Sequence, residues 1–307
     1  MLKPRALEPG DRVAIVAPAS PFIRDEFDQG IEEVRSLGFE PVYDDSVFAR
    51  QRYVAGPPEL RAAAIGRAWR DSAIKGLFAA RGGYGSGQLL PLLDRDEARA
   101  GRKPFVGYSE LTSILTFLTI GCGAIAFHGP TLAGRLGRGE GGYDRASLMA
   151  AIGRREPMGE LAPAGLETVR LGEAGGPLLG GTVTQLLASL GTPFAFAPPQ
   201  GFVLFFEEVG ERPYRLDRMV TQLRQTGLLA RAAAVVVGEL VNCDEPRGDP
   251  TARSVIADLF GDFPGPVVVG FPSGHTAGPA MTLPLGVMCR VVADRHPRVV
   301  IEEAAVE

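Results

Sequence analysis

The feature that most constrains the fold is a series of short, almost continuously apolar runs, several of them followed by a stretch with helical character. In the first half of the chain the runs lie at Arg12–Ala17, Phe39–Tyr43, Ile74–Ala79, Pro104–Gly107 and Ala124–Phe127. Runs of this kind are typical of parallel strands covered on both faces. Helical patterns lie between them at Glu59–Ser72 and Glu110–Ile120. Such strand–helix–strand repetition predicts an α/β layered domain with right-handed crossovers.

The second half repeats the pattern after a change in composition. Glycine, proline and charged residues concentrate between Leu136 and Gly176, with one short helix expected near Ala146–Ile152. Apolar runs resume at Val203–Phe206, Ala232–Val237, Val267–Phe271, Val287–Val292 and Val299–Ile301. An amphipathic helix is expected to begin at Pro213 and to end at Gly227. A length of 307 residues suits two domains, which we predict at 1–158 and 166–307 with a linker at 159–165.

Charge and hydropathy exclude several classes of partner. A formal net charge of -4 offers no basic surface for nucleic acid. The longest apolar passage, Ile114 to Phe127, is interrupted by glycines and is too short to span a bilayer, so no membrane partner is expected. The first residues lack the apolar core of a signal peptide, which favours a cytoplasmic location.

The scarcity of cysteine and histidine limits metal and disulfide chemistry. Cys122, Cys243 and Cys289 are odd in number, far apart and without CxxC spacing. We therefore predict neither a disulfide framework nor a structural zinc site, and expect each thiol to be a small buried group. No two histidines stand at the spacing of a helical ligand pair, so no metal site is predicted. No cofactor is predicted either.

Histidine is the usual proton shuttle near neutral pH, and this chain has three. His128 follows an apolar run in FHGP, and His296 lies in a charged turn between two late strands. His275 lies in the glycine-rich loop GFPSGHTAGP, directly after the run Val267–Phe271. A lone loop histidine is often only a structural or surface residue. His275 is the stronger candidate because α/β proteins place their sites in loops at the carboxyl ends of strands.

Ser109 lies in VGYSELTS, where a predicted strand turns directly into a predicted helix. This layout is typical of a nucleophile elbow, in which a sharp turn exposes a serine hydroxyl. The match to G-x-S-x-G is partial, because Gly107 and Ser109 fit but Leu111 stands where the second glycine belongs. A serine before a helix is also a common N-cap, so the residues alone leave both interpretations open.

Two carboxylates, Glu207 and Glu208, end the apolar run Val203–Phe206. Both would be explained by a solvated strand end or by favourable charge near a following helix. Serine, glutamate and histidine nevertheless each follow a strand, in the chain order of the triads of α/β-hydrolases. Chain order is weak support, because triads recur in several permutations.

The segment from Arg81 to Gly87, RGGYGSG, follows the run Ile74–Ala79. Its glycine spacing differs from the dinucleotide-binding fingerprint, and it does not follow the first strand, which argues against nucleotide binding. Bare backbone N–H groups in such a loop could approach a reacting oxygen, as an oxyanion hole requires. A tight turn that needs positive φ angles is the alternative.

Taken together, these segments resemble the LD-carboxypeptidase family of serine peptidases, which includes muramoyl-tetrapeptide carboxypeptidases and microcin-immunity relatives. The resemblance runs through most of the chain and rests on ordered motifs in both halves. These motifs are GDRVAIVAPAS at 10–20, ARGGYGSGQLLPLLD at 80–94, VGYSELTS at 106–113, FHGP at 127–130, PLLGGTVTQLLASLGTP at 177–193, LFFEEVGERPYRLDRM at 204–219 and GFPSGHTAGPAMTLPLG at 270–286.

The resemblance implies a flavodoxin-like, class I amidotransferase-like N-terminal domain of parallel strands and a smaller C-terminal α/β swivelling domain. It implies a catalytic triad of Ser109, Glu207 and His275 in the interdomain cleft. The backbone N–H groups of Gly83 and Glu110 would form the oxyanion hole. Two departures from the family pattern are Glu110, where aspartate is common, and GGTV at 180–183, where relatives often have GGN.

The implied activity is hydrolysis of the L,D-amide bond to the terminal D-alanine of cytoplasmic murein tetrapeptide, by an enzyme that is often a homodimer. Arg81 is a candidate for the terminal carboxylate, because guanidinium binds carboxylate bidentately, although arginine beside a glycine turn is often structural. Tyr84 is a second candidate for substrate binding. The alternatives are a peptidyl-nucleotide substrate of the microcin C type, a non-catalytic binding protein on the same scaffold, and a nucleotide-dependent oxidoreductase.

Overall fold

The computed structural model describes residues 1–307, and its fourteen strands form two sheets. The strands are β1 (Arg12–Val16), β2 (Glu40–Val42), β3 (Ile74–Ala79), β4 (Phe105–Gly107), β5 (Ala126–His128), β6 (Gly159–Leu161), β7 (Glu167–Arg170), β8 (Gly172–Thr182), β9 (Phe202–Val209), β10 (Ala232–Val241), β11 (Val267–Phe271), β12 (Leu283–Leu285), β13 (Met288–Ala293) and β14 (Arg298–Ile301). Every apolar run identified in the sequence overlaps one of these strands.

The first sheet has the order β12-β5-β4-β3-β1-β2. Strands β1 to β5 run parallel in the order 2-1-3-4-5, which is that of flavodoxin-like folds. The carboxyl ends of the parallel strands therefore share one edge, where the RGGYGSG loop follows β3 and Ser109 follows β4. The predicted fold class, an α/β protein with a parallel sheet and a second α/β domain, is confirmed.

The second sheet has the order β6-β14-β13-β8-β9-β10-β11-β7. Its centre, β8 to β11, is parallel, and the outer strands are antiparallel. The motifs around Glu207 and His275 follow or end two of the central strands, β9 and β11. Both sheets therefore present the carboxyl ends of parallel strands with chemically active side chains.

Nine α-helices pack against the sheets: α1 (Arg24–Ser36), α2 (Pro58–Arg70), α3 (Arg95–Gly101), α4 (Thr112–Thr116), α5 (Arg145–Gly153), α6 (Val183–Ser189), α7 (Pro213–Gln225), α8 (Leu228–Arg231) and α9 (Ala252–Phe260). The helix predicted over Glu110–Ile120 is divided into a 3-10 turn at Ser109–Leu111, α4, and a π turn at Phe117–Gly121. None of the helices combines the length and the apolar character needed to cross a membrane.

Side chains along β9 point alternately to its two faces, so only one of its two carboxylates, Glu207 or Glu208, faces the first domain. Val203 and Phe205 belong to the buried cluster that continues into the first domain, whereas Leu204 and Phe206 pack into the cluster under α7 and α9. Because side chains alternate with a period of two, Glu207 lies on the face of Val203 and Phe205. Glu208 points the other way and binds Thr184 at the start of α6.

The two halves of the chain are more closely joined than a simple linker implies. Strand β12, from the second half, closes the first sheet by pairing antiparallel with β5. Residues 159–165, predicted as a linker, include β6, which pairs with β14 at the edge of the second sheet. The largest buried apolar cluster contains residues from both halves. The cleft between the sheets is therefore held by shared strand pairing and a shared core.

Candidate active site

Ser109 stands at a strained corner between β4 and the 3-10 turn. Its φ of 64° lies in the left-handed region, which non-glycine residues rarely adopt. Tyr108 occupies the capping position in an extended conformation, and no side chain caps the turn. The corner is crowded: a Cβ added to Gly82 would lie 3.1 Å from Ser109 Cβ and 3.3 Å from its Oγ. The geometry is that of a nucleophile elbow rather than of an N-cap serine.

Glu207 and His275 form a direct pair across the ends of β9 and β11. Glu207 Oε2 lies 2.8 Å from His275 Nδ1 and also accepts a hydrogen bond of 2.9 Å from the backbone N–H of His275. The carboxylate is fully buried, while the side chain of His275 keeps 20% of its surface exposed. This arrangement orients the imidazole by its Nδ1 and leaves Nε2 for another partner.

The buried carboxylate of Glu207 is held in its ionised form by its neighbours. Burial by itself raises the pKa of Glu207, but the hydrogen bond and charge of His275 and further contributions from His128 and Thr182 outweigh it, so the pKa lies below its ordinary value. Thr182, at the end of β8, donates its hydroxyl to Glu207 Oε1. Threonine at the position that departs from the GGN pattern is therefore a direct partner of this carboxylate.

Ser109 and His275 lie on opposite sides of the cleft. The ring of Tyr108, next to Ser109, packs edge-on against the ring of His275 with 5.0 Å between centroids. Thr112 Oγ1, one turn after Ser109, accepts a hydrogen bond of 3.0 Å from the N–H of Thr182. Both hydrogen bonds of His275 go to Glu207, and none joins it to Ser109 Oγ.

The glycine-rich loop after β3 is anchored from two sides. Its Gly82 carbonyl accepts from the N–H of Ser20, and the N–H of Tyr84 donates to Ser20 Oγ. Gly83 has a φ of 102°, and a Cβ there would lie 2.4 Å from Ser20 Oγ, so only glycine fits. The loop therefore passes close to the elbow with a bare backbone.

Glu110 anchors the other side of that loop through its side chain. Its Oε1 accepts hydrogen bonds from the N–H groups of Gly85 and Ser86, at 2.8 and 2.9 Å. The hydroxyl of Ser86 donates to the Glu110 carbonyl at 2.7 Å. Burial raises the pKa of the Glu110 carboxyl, although these hydrogen bonds act in the opposite direction. The residue after Ser109 thus connects the elbow to the loop that carries Gly83.

The two candidates for substrate recognition are both exposed to solvent. Arg81 is exposed, forms no ion pair with a carboxylate of this chain, and donates one 3.3 Å hydrogen bond to the carbonyl of Pro21. Tyr84 is 51% exposed, and its ring packs edge-on against Tyr53. Tyr84 and Glu110 also line a cavity of about 490 Å³ between the 3-10 turn Ser86–Leu92, α4 and α6. This cavity contains no lysine or arginine.

The sequence did not predict the contacts that two residues of the first domain make with the Glu–His pair and its loop. His128 is fully buried next to Glu207, although its motif FHGP carried no sign of this partner. Arg135 donates to the carbonyls of Gly274 and Thr276, which flank His275. It also donates to the carbonyls of Gly142 and Gly278. No spacing rule could have found these contacts, because they join distant segments.

The remaining candidate residues lie apart from the cleft or take no part in it. His296 is exposed in the turn between β13 and β14. The three cysteines are free and buried, and burial raises the pKa of the Cys122 and Cys243 thiols to about 11. Thiols with such pKa values are poor nucleophiles near neutral pH. The three thiols are therefore poor candidates for a nucleophile, whereas Ser109 follows Tyr108, whose ring packs against His275.

Fold and site together define a two-domain α/β protein with a serine elbow on one sheet and a buried Glu–His pair on the other. Similarity to known proteins identifies the family to which this chain belongs. Residues 13–129 match the LD-carboxypeptidase N-terminal domain, and residues 175–291 match the LD-carboxypeptidase C-terminal domain. A putative carboxypeptidase of Streptomyces coelicolor is 35% identical over 96% of this chain and 94% of its own. The chain belongs to the LD-carboxypeptidase family.

Further relatives carry more specific names. A probable murein peptide carboxypeptidase of Bacillus subtilis is 31% identical over 92% of this chain and 89% of its own. The crystal structure of a muramoyltetrapeptide carboxypeptidase from Oxalobacter formigenes superposes with a TM-score of 0.83, at 27% identity over 94% of this chain and 97% of the other. The microcin C7 self-immunity protein MccF, in complex with aspartyl sulfamoyl adenosine, superposes over the whole of both chains with a TM-score of 0.90. At 21% identity, this superposition shows a shared fold alone.

Proposed function

We propose that the protein is a serine carboxypeptidase that hydrolyses the L,D-amide bond to the terminal D-alanine of murein tetrapeptide. Ser109 is the nucleophile, His275 the general acid–base, and Glu207 the carboxylate that orients His275. The observation that carries this proposal is the 2.8 Å contact between the buried Glu207 carboxylate and His275 Nδ1, facing a serine elbow across one cleft. The names of the murein peptide carboxypeptidases among the relatives support the substrate.

The reaction follows from the chemistry of these three side chains. Ser109 Oγ attacks the carbonyl carbon of the scissile amide while His275 Nε2 accepts the hydroxyl proton. The same proton then passes to the leaving amine of D-alanine, and water attacks the resulting ester by the reverse sequence. Glu207 favours the imidazolium that forms in both steps. Because Nδ1 is engaged by Glu207, Nε2 is the nitrogen that exchanges protons with Ser109.

Charge develops on the carbonyl oxygen as the tetrahedral intermediate forms. In our proposal the backbone N–H groups of Gly83 and Glu110 stabilise it, each by about 3–4 kcal/mol. The anchoring of the loop by Ser20 on one side and by the Glu110 carboxylate on the other supports this role, since both restrict the backbone of Gly83. Preorganised donors cost no rearrangement during the reaction.

A carboxypeptidase also has to recognise a free terminal carboxylate. We propose Arg81 as its partner, because its exposed guanidinium has no carboxylate partner within this chain. Tyr84, three residues after Arg81, lines the cavity beside Glu110. That cavity, which contains no basic side chain, suits an uncharged part of a peptide substrate better than a phosphate group. The proposal also includes a cytoplasmic location and a homodimer, which rest on the family resemblance.

A second candidate is hydrolysis of a peptidyl-nucleotide amide of the microcin C type by the same three residues. The superposition on the self-immunity protein over the full length of both chains favours it as the alternative. A non-catalytic binding protein on the same scaffold is the third possibility.

Parallel assays on two substrates distinguish these functions. Purified protein and its Ser109→Ala variant are incubated with murein tetrapeptide and, separately, with a peptide linked to sulfamoyl adenosine. We expect D-alanine release from the tetrapeptide by the wild type and none above background by S109A. Turnover of the sulfamoyl adenosine compound alone would replace the proposed substrate by the alternative. Binding of tetrapeptide without turnover would indicate the non-catalytic protein.

A further inference from the structure

His128 joins the strand next to the nucleophile to the loop of His275. In the first sheet it pairs with Gly107 of β4, two residues before Ser109. Its side chain is fully buried and points into the cleft between the sheets, where its ring packs edge-on against Phe205 of β9, with 5.1 Å between centroids. A polar ring in such a place requires partners on its nitrogens.

The two ring nitrogens of His128 face two different groups of the second domain. Nδ1 lies 3.0 Å from Ser273 Oγ, two residues before His275. Nε2 lies 4.0 Å from Glu207 Oε1, the carboxylate oxygen that Thr182 also binds, and has no hydrogen-bond partner although it is buried. The backbone of Gly274 lies close to both side chains, because a Cβ on this residue would lie 2.8 Å from His128 Cε1 and 2.7 Å from Glu207 Cδ.

The groups that face the ring of His128 determine which of its two nitrogens carries the proton. Burial lowers the pKa of His128 to about 4, despite the opposing charge of Glu207, so the ring is neutral near pH 7. A lone pair on Nε2 facing a carboxylate oxygen would be repelled, which places the single proton on Nε2. Nδ1 is then an acceptor, and the hydroxyl of Ser273 donates to it.

We propose that His128 is a positioning residue for the Glu207–His275 pair: its Nε2–H dipole points at Glu207 Oε1, and Ser273 holds the ring in this tautomer. Glu207 is then surrounded by three groups, with Thr182 and His128 on Oε1 and His275 on Oε2. At 4.0 Å the interaction with His128 is one between a charge and a dipole rather than a hydrogen bond. Because His128 belongs to the first sheet, it fixes the position of the Glu207–His275 pair relative to the turn that carries Ser109. This inference rests on the proposed function.

Labelling of Ser109 by a fluorophosphonate tests this role without depending on the natural substrate. The second-order rate constant of labelling reports how well the Glu207–His275 pair activates the serine. His128→Asn retains a group near Nδ1, which can reach Ser273, but nothing at the position of Nε2. His128→Gln places an amide N–H near the position of Nε2. The exposed His296→Asn serves as the matched control.

We expect His128→Asn to be labelled at least about tenfold more slowly than wild type, because misplacement of a catalytic group by a fraction of an ångström is costly. His128→Gln should retain at least about a third of the rate, and His296→Asn all of it. Steady-state kinetics on the tetrapeptide should show the loss in kcat with KM little changed. Thermal unfolding establishes that each variant is folded.

Ser273→Ala provides a second route should a substitution of His128 itself prevent folding. It leaves the ring in place but removes the donor to Nδ1, and we expect labelling to slow by about three- to tenfold. Labelling of H128N or S273A at the wild-type rate would overturn the proposal, as would an equal loss in H128N and H128Q. Absence of labelling in the wild type would instead count against Ser109 as nucleophile, and so against the proposed function.

Discussion

Thr182 donates its hydroxyl to Glu207 Oε1, the oxygen opposite the one that binds His275. The carboxylate is fully buried, so each oxygen depends on protein donors alone. Thr182 also stands where the family resemblance leads us to expect the asparagine of a GGN pattern. The departure therefore changes the chemical group next to the Glu–His pair and leaves the pair itself intact.

Thr182→Val should weaken catalysis more than folding. The isosteric change leaves Glu207 Oε1 without its hydroxyl donor, at a cost of about 1–2 kcal/mol, and we expect kcat to fall about tenfold with KM within about twofold of wild type. Steady-state kinetics on murein tetrapeptide measure both constants. Thr182→Ser retains the hydroxyl and is the matched control. Equal activity in T182V and T182S would show that the hydroxyl contributes nothing.

Arg135→Ala should release the loop of His275. The guanidinium donates to the carbonyls of Gly274 and Thr276, on both sides of His275, and its removal leaves four carbonyls, three of them in buried residues, without this donor. We expect a loss of kcat of at least about tenfold and a lower thermal midpoint. Arg138→Ala removes an exposed arginine three residues further on and is the control. A kcat for R135A equal to that of R138A would contradict the anchoring role.

Glu110→Ala should disturb the proposed oxyanion hole through its loop. The substitution removes the acceptor for the N–H groups of Gly85 and Ser86, while the backbone N–H of residue 110 remains. We expect kcat to fall by about 10–100-fold, whereas Glu110→Gln, which retains one acceptor oxygen, should lose less. Kinetics of both variants give the comparison. If E110A and E110Q lost the same activity, the charge rather than the loop contacts would be responsible.

The free energy of unfolding should decrease as the pH is lowered from 7 to 5, because His128 is buried as a neutral ring. Its folded pKa of about 4 lies below the unfolded value of about 6.5, so the unfolded chain binds a proton first and the free energy of unfolding decreases as pH falls through this window. The contribution is about 2 kcal/mol between pH 7 and pH 5. Glu207, whose pKa is lowered, contributes stability that is lost only at lower pH, below the ordinary range of carboxyl groups.

Urea unfolding of wild type and His128→Gln at the two pH values measures this effect. The difference in the free energy of unfolding between pH 7 and pH 5 should be smaller in the variant by about 2 kcal/mol. His296→Asn, which alters an exposed imidazole, should retain the wild-type difference. An identical pH dependence in wild type and H128Q would show that His128 is not buried as a neutral ring.

Much of the fold follows from local pattern, and the exceptions have physical causes. The apolar runs predicted the central strands, because buried parallel strands are apolar on both faces. Strand β8 was missed because its sequence, GEAGGPLLGGT, is rich in glycine, which has low strand propensity. Strand β12 was missed because Leu283–Leu285 contains a proline, which is confined to sheet edges, where this strand lies.

Less of the candidate site than of the fold could be predicted from the sequence. The elbow at Ser109 could be expected from a glycine and a serine at a strand–helix junction, although the residues alone also allowed an N-cap. Preference for Glu207 over Glu208 came from the family resemblance, and the alternation of β9 supplies its physical reason. The contacts of His128 and Arg135 depend on how the two sheets pack, which no local pattern encodes.

The most direct test of the central claim is peptide mass spectrometry after treatment with a fluorophosphonate. The claim is that Ser109 is activated by His275 and Glu207 across the cleft between the sheets. We predict a single adduct on the peptide that contains Ser109, absent in Ser109→Ala and strongly reduced in His275→Ala and Glu207→Ala. An adduct on another residue, or undiminished labelling of Ser109 in His275→Ala, would contradict it.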